Sequence, residues 1–185
     1  IIVGEKKEKF LKETIQSCLR QNYKKIEIIL VYSYLKNINY LKDLYFKNII
    51  FKHVIKRNKN PVLDQINKIK EAIKVCSGEY IFLLDGDDLF KVDKVAKVIS
   101  LNKKKNLCLD DFVVYKNNKY LYLNYKKFKK NILYKFFFNP WPDKICTSCI
   151  SGPKNLFDNF FLNNKIISSK YLAIDVLLII FYLDR

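Results

Sequence analysis

Methionine is absent from this chain, histidine and tryptophan occur once each, and glycine and proline only four times each. Of 35 basic residues, only Arg20, Arg57 and Arg185 are arginine. Each shortage excludes something. With so little arginine, a specific reader of guanine or of nucleic-acid phosphates is not expected, because such readers depend on the bidentate guanidinium. His53 falls inside a predicted strand, where a packed or edge histidine is the reading to expect over a metal ligand. Cys146 and Cys149 form one CxxC, and a zinc site would need two further ligands that a chain with a single histidine does not readily supply. Five cysteines are an odd number, no signal peptide is visible, and a disulfide framework is therefore not expected; a reducing, cytoplasmic compartment is the simpler reading. No uninterrupted apolar run reaches the length of a membrane span, so a soluble or peripheral protein is expected. No internal repeat or linker interrupts the chain. No methionine opens it and Ile1-Ile2-Val3 already reads as strand, which leads to the expectation of a start further upstream; Leu183-Asp184-Arg185 directly follows an apolar run, and a cut there is expected too.

What is present points to one folded domain. Half of the 185 residues are apolar and 15% are aromatic, enough for a sizeable core. The net charge is +17, but the lysines are scattered along helix faces and mixed with asparagine, a bias of composition and not a built patch. Such a diffuse positive field favours phosphate-bearing substrates or an anionic membrane face.

Along the chain, Ile1 to Val3 reads as a first strand, with Gly4 where the backbone turns. Leu11, Ile15, Cys18 and Leu19 recur at helical spacing and predict a helix over 8–21. Strands are predicted at 26–32 and 48–55. Val62, Ile66, Ile69, Ile73 and Cys76 share one helical face, giving a helix over 61–75 led by Pro61, with Gly78 as the residue that closes it. Tyr80 to Leu84 is an almost wholly apolar run, the pattern of a strand covered on both faces. A helix follows, marked by Val92, Val95, Ala96 and Ile99. Strand and helix thus alternate over 1–100 as in a parallel, doubly wound sheet. After residue 102 come a hairpin around Lys116-Asn117-Asn118-Lys119, a helix marked by Phe128, Ile132 and Phe136, a short strand at 147–150, a short helix at 153–161, and an apolar final helix at 171–183 whose one charge is Asp175.

The centre of this pattern is Leu84-Asp85-Gly86-Asp87-Asp88, where a buried-looking strand ends in three carboxylates. Open α/β sheets place ligands at the carboxyl ends of their strands. Carboxylates crowded in this way suit a hard cation such as Mg²⁺ or Mn²⁺, which keeps part of its coordination for water and phosphate oxygens. A solvated acidic turn is the alternative on composition alone.

In order and spacing these pieces resemble the family 2 glycosyltransferases. The resemblance is carried by Lys9 to Ile15 with Ser17 and Gln21-Asn22-Tyr23, by Ile26 to Val31, and above all by Asn67, Ala72, Ser77-Gly78-Glu79-Tyr80-Ile81 and Leu84 to Asp88. It covers 1 to about 100 well and the remainder loosely. The resemblance implies the GT-A fold, a Rossmann-like and mostly parallel α/β sheet with helices on both faces, followed by a hairpin and C-terminal helices. It implies a single domain over 1–185, with 1–100 binding the nucleotide sugar and 101–185 facing the acceptor. It implies inverting, cation-dependent transfer of a sugar from a nucleotide-diphospho-sugar to a hydroxyl of a glycan or lipid-linked acceptor, in cell-envelope glycan synthesis, with peripheral contact to the inner membrane face.

By the same resemblance Gly4, Glu5, Ser33, Asn67, Asp85, Gly86 and Asp87 would surround the nucleotide sugar, with Asp85 near the ribose. Asp87 and Asp88 would hold Mn²⁺ or Mg²⁺. Asp175, at the start of the late helix, would be the general base; an N-cap or lysine-paired aspartate is the alternative. The chain departs from the family pattern at Gly4 to Lys7 and at Tyr32-Ser33, where the family commonly has an acidic residue that recognises the base. A nucleotide-sugar-binding protein without turnover is therefore the second reading.

Overall fold

The computed structural model describes residues 1–4, 8–36, 38–45, 47–56, 59–102, 106–116, 119–121, 146–162 and 172–183. In chain order the elements are α1 (Glu8–Leu19), β1 (Ile28–Tyr32), α2 (Ile38–Tyr45), β2 (Ile49–His53), α3 (Pro61–Val75), β3 (Tyr80–Phe82), α4 (Lys94–Leu101), β4 (Cys108–Leu109), β5 (Val114–Lys116) and β6 (Lys119–Leu121). A 3₁₀ turn (Thr147–Cys149), β7 (Ile150–Pro153), α5 (Lys154–Leu162) and α6 (Ile174–Leu183) follow.

β1 and β2 pair in parallel, from Ile28 opposite Ile49 to Tyr32 opposite His53. The first residues of the chain lie between β1 and the end of β3. Ile2 forms parallel bridges to Val31 and Asp85, Val3 N donates to Val31 O at 2.9 Å, and Ile2 N donates to Leu84 O at 2.8 Å. β3 then pairs antiparallel with β7, and β7 antiparallel with β4. The strands therefore run in the order β2, β1, Ile2, β3, β7, β4, parallel as far as β3 and reversed at β7.

Alternation along these strands separates two cores, since successive side chains point to opposite faces. Ile2 and Leu83 join Ile66, Ile69 and Ile73 of α3, Phe157 and Phe160 of α5, and Ile174 and Leu178 of α6. Val3 and Leu84 join Leu11 and Ile15 of α1, Leu30 of β1 and Leu41 of α2. The sheet is thus covered by helices on both faces, as expected.

The helix predicted over 61–75 forms with those bounds. Asn60 caps it, its side chain accepting from Val62 N and Leu63 N, and Pro61 occupies the first turn where no amide partner is needed. The hairpin also forms, β5 antiparallel to β6. Four expectations need correction. Gly78 does not close α3; the helix ends at an extended Cys76, and Gly78 instead meets Glu27, whose carboxylate accepts from Ser77 N and Gly78 N. A Cβ at Gly78 would lie 3.2 Å from Glu27 Oε1, so the close approach of that carboxylate is what favours glycine. Residues 147–149 form a 3₁₀ turn and the strand begins only at Ile150. α2 was hidden in a Lys- and Asn-rich stretch, although Leu41 and Tyr45, one turn apart, are its buried pair. Finally, Tyr80, Ile81 and Phe82 are only half-buried; with Ile26 to Ile29 they line a cavity of about 680 Å³ at the amino ends of β1 and β3. The expected helix around Phe128 to Phe136 lies outside the described residues.

Candidate functional site

The three carboxylates of the acidic turn are placed at the carboxyl end of β3, between the strand at Ile2 and the start of β7. Each is half-buried. Three elements hold the turn. From α1, Thr14 Oγ1 donates to Gly86 O at 3.2 Å and Ser17 Oγ accepts from Phe90 N at 3.2 Å; just past the end of α1, Gln21 Nε2 donates to Lys91 O at 2.8 Å while its Oε1 accepts from Val95 N at 3.1 Å. Thr14 and Ser17, three residues apart, share one face of α1, and Gln21 follows two residues after the helix ends at Leu19, short of the predicted end at 21. Thr14 and Gln21 are among the most buried polar side chains of the molecule, at 0% and 1% exposure. Their burial is tolerable because each is hydrogen-bonded.

From α3, Gln65 Nε2 donates to Asp85 Oδ1 at 3.1 Å and lies 3.3 Å from Thr147 Oγ1. From the 3₁₀ turn, Ser148 Oγ accepts from Asp85 N at 2.9 Å and donates to Asp88 Oδ2 at 2.6 Å. Lys94 Nζ closes the arrangement: it donates to Ser148 O at 2.7 Å, pairs with Asp110 at 3.0 Å and lies 4.1 Å above the Phe90 ring. The backbone of Gly86 is occupied within the protein, its N–H donating to Ile2 O at 2.9 Å and its carbonyl accepting from Thr14. Asp85 and Asp87 flank this anchored glycine, and Asp88 follows.

Beside the first strand, Lys68 is 3% exposed and donates to Val3 O at 3.0 Å and to Asp64 Oδ2 at 2.7 Å, an i,i+4 pair inside α3. A buried ammonium requires such partners. The other oxygen of Asp64 is buried without a hydrogen-bond partner among the described residues, and so is Ser33 Oγ, directly after β1. Tyr32, at the end of β1, is buried and its ring lies 5.4 Å from that of His53. His53 is exposed, at the end of β2, with Nε2 3.2 Å from Ser33 O.

Of the other expected site residues, Gly4 follows Val3 at the carboxyl end of the first strand, and Asn67 is half-buried on α3. Glu5 lies outside the described residues. Asp175 is the second residue of α6, between the buried Ile174 and Val176. The helix already begins at Ile174, so Asp175 is not the residue before it; its Oδ1 accepts from Val176 N at 2.8 Å, and it joins no ion pair among the described residues. Burial pushes its carboxyl group up from the ordinary range. Sequence reasoning missed Gln65, Lys68, Lys94, Thr147 and Ser148. For Lys68 a signal existed: Asp64 and Lys68 lie one turn apart, beside the apolar stripe of α3.

A sheet of this order with an acidic turn at its centre is the GT-A fold of nucleotide-diphospho-sugar transferases. The structure is similar to S. aureus TarS residues 1–349 in complex with UDP, at a TM-score of 0.69 and 13% identity, covering 100% of this chain and 54% of that one. It is also similar to TarS 1–349 in complex with UDP-GlcNAc, at a TM-score of 0.63 and 12% identity, covering 85% of this chain and 45% of that one. The chain spans about half the length of these proteins. No curated protein matches the sequence. The family model of glycosyl transferase family 2 matches residues 1–161, and the chain belongs to that family.

Proposed function

We propose that this chain transfers a sugar from a nucleotide-diphospho-sugar to an acceptor hydroxyl, with the donor lying across the carboxyl ends of β1, the first strand and β3. The observation that carries this reading is the construction of the acidic turn. Contacts from α1, α3 and the 3₁₀ turn fix its backbone and two of its carboxylates, far more support than a solvated turn needs. Structures of the similar TarS fragment in complex with UDP and with UDP-GlcNAc support a nucleotide-sugar donor.

In this reading Asp87 and Asp88 would hold Mn²⁺ or Mg²⁺. Among the described residues no three His, Cys, Asp or Glu side chains converge on one point, which does not suit a cation caged by protein alone. It does suit one that takes one or two carboxylates and completes its shell with diphosphate oxygens and water. When bound, such a cation neutralises the charge that develops on the departing nucleoside diphosphate. Asp85, oriented by Gln65, accepts from the ribose, and Gly4, Ser33, Asn67 and the free oxygen of Asp64 border the nucleoside. Asp175 takes the proton of the acceptor hydroxyl as its oxygen attacks the anomeric carbon and the bond to the diphosphate breaks, inverting the configuration. Its burial suits a base, since a raised pKa strengthens proton affinity. Residues 1–100 would serve the donor and 101–185 a glycan or lipid-linked acceptor, with the +17 charge favouring an anionic membrane face. Among the described residues no helix is long and apolar enough to cross a membrane.

A second reading, binding of the nucleotide sugar without transfer, is favoured by one observation: β1 ends at Tyr32 and Ser33 follows it, neither of them a carboxylate that could recognise a base. The test is release of nucleoside diphosphate from UDP-sugars and GDP-sugars with Mn²⁺ and a panel of glycan and lipid acceptors. Cation-dependent release establishes transfer. Binding without release selects the second reading, and absence of any binding refutes both.

A further inference from the structure

The 3₁₀ turn that supports the acidic site is bracketed by two thiols. Cys146 and Cys149 have their Sγ atoms 3.0 Å apart in a hydrogen bond, and Cys149 N donates to Cys146 O at 2.9 Å across the turn. The two residues between them are those that reach the site, Thr147 to Gln65 and Ser148 to Asp85 N and Asp88. Among the described residues nothing completes a zinc shell around the pair. Cys18, Cys76 and Cys108 are also free thiols, on α1, after α3 and on β4. Two thiols at this separation have one reaction readily open to them, since a disulfide requires the sulfurs to approach to about 2.04 Å.

We propose that Cys146 and Cys149 form a reversible disulfide that pins the turn holding Asp85 and Asp88. The oxidant is a peroxide. The hydrogen bond between the two thiols lowers Cys149 and raises Cys146, which favours Cys149 as the nucleophile. Cys149 is only 2% exposed, which selects a small oxidant. Its sulfur attacks one peroxide oxygen, the O–O bond breaks, and the leaving oxygen departs as water, giving a sulfenic acid. Cys146 sulfur then attacks Cys149 sulfur, the S–O bond breaks, and the hydroxide leaves as water with the Cys146 proton. Two thiols lose two electrons in total, and the peroxide is reduced to water. A dithiol reductant reverses the bond by exchange.

The test treats the folded protein with hydrogen peroxide, alkylates it after denaturation and maps the peptides by mass. The peptide spanning 146–149 should lose two hydrogens and resist alkylation, dithiothreitol should restore it, and Cys18, Cys76 and Cys108 should remain alkylatable. In the oxidised protein the Asp85 amide, which bonds to Ser148, should exchange its hydrogen several-fold more slowly. Cys146→Ser and Cys149→Ser should each abolish both effects. Cys149 recovered as a sulfinic acid, a disulfide to Cys108, or unchanged exchange at Asp85 would each overturn the proposal, and the wild-type mapping decides it even if a variant fails to fold.

Discussion

Replacing Ser148 by alanine deletes one oxygen and, with it, two hydrogen bonds at the centre of the acidic turn. Ser148 is 7% exposed, so its Oγ works where water has little access. The bond it accepts from Asp85 N at 2.9 Å joins two neutral groups, a net contribution of about 0.5–1.5 kcal/mol. The bond it donates to Asp88 at 2.6 Å ends on a carboxylate, for which about 1.5–3 kcal/mol applies. Asp88 is half-buried, so water recovers part of the second, and about 2–3 kcal/mol should be lost in all. For a chain of this length a loss of 1 kcal/mol lowers the melting temperature by about 2–4 °C. The Ser148→Ala protein should therefore melt about 4–12 °C lower, with a reduced urea midpoint and an unchanged m-value. Thr147→Val is the control: it removes a single 3.3 Å contact to Gln65 and should cost under about 1 kcal/mol. A loss below about 0.5 kcal/mol for Ser148→Ala, or an equal loss in both variants, would refute the claim that Ser148 anchors the site.

Asp87→Asn keeps the shape of the side chain but removes the charge a hard cation requires, and should weaken Mn²⁺-dependent UDP binding in titration calorimetry; Asp88→Asn should act in the same direction, and unchanged affinity in both would count against the cation site. Lys68→Met leaves the buried carboxylate of Asp64 and the carbonyl of Val3 without their partner, so urea denaturation should show a loss of about 3–5 kcal/mol, and a loss under about 1 kcal/mol would mean that the pair is not buried in solution. Asp175→Asn should lower kcat by roughly 10²- to 10⁴-fold while leaving donor binding intact if Asp175 is the base. Its raised pKa also sets a pH dependence: between the unfolded and folded values the native state holds more protons, so the wild type should lose stability relative to Asp175→Asn as pH rises from about 4 through the folded value. A stability difference that is flat with pH would show that the carboxyl group is not desolvated.

Much of the architecture was written in local patterns that need no partner to be read. The Ile66, Ile69, Ile73 stripe with Asn60-Pro61 ahead of it defines α3, because helical periodicity and a cap are properties of neighbouring residues. The alternation of strand and helix over the first hundred residues implied the sheet, and the acidic turn following an apolar run marked the candidate site. Other features were not legible. Ser148 supports Asp85 from 63 positions away, and no pattern around either residue announces the pairing. It follows from β7 lying antiparallel to β3 with Phe82 opposite Ser151, a register that, continued past the strand ends, brings Ser148 to Asp85. Lys68 reaches Val3 only because α3 packs over the first strand. The half-buried face of β3 arises likewise from what lies beside it, since an apolar run states which residues prefer burial but not which neighbour supplies it. The sequence by itself determined α1, α3, α4, the strands of the first half and the carboxylates at the end of β3, because those depend on contacts a few residues apart. Only the tertiary structure decided which hydroxyl, amide and ammonium hold the carboxylates in place, because that depends on strand register and helix docking over long separations.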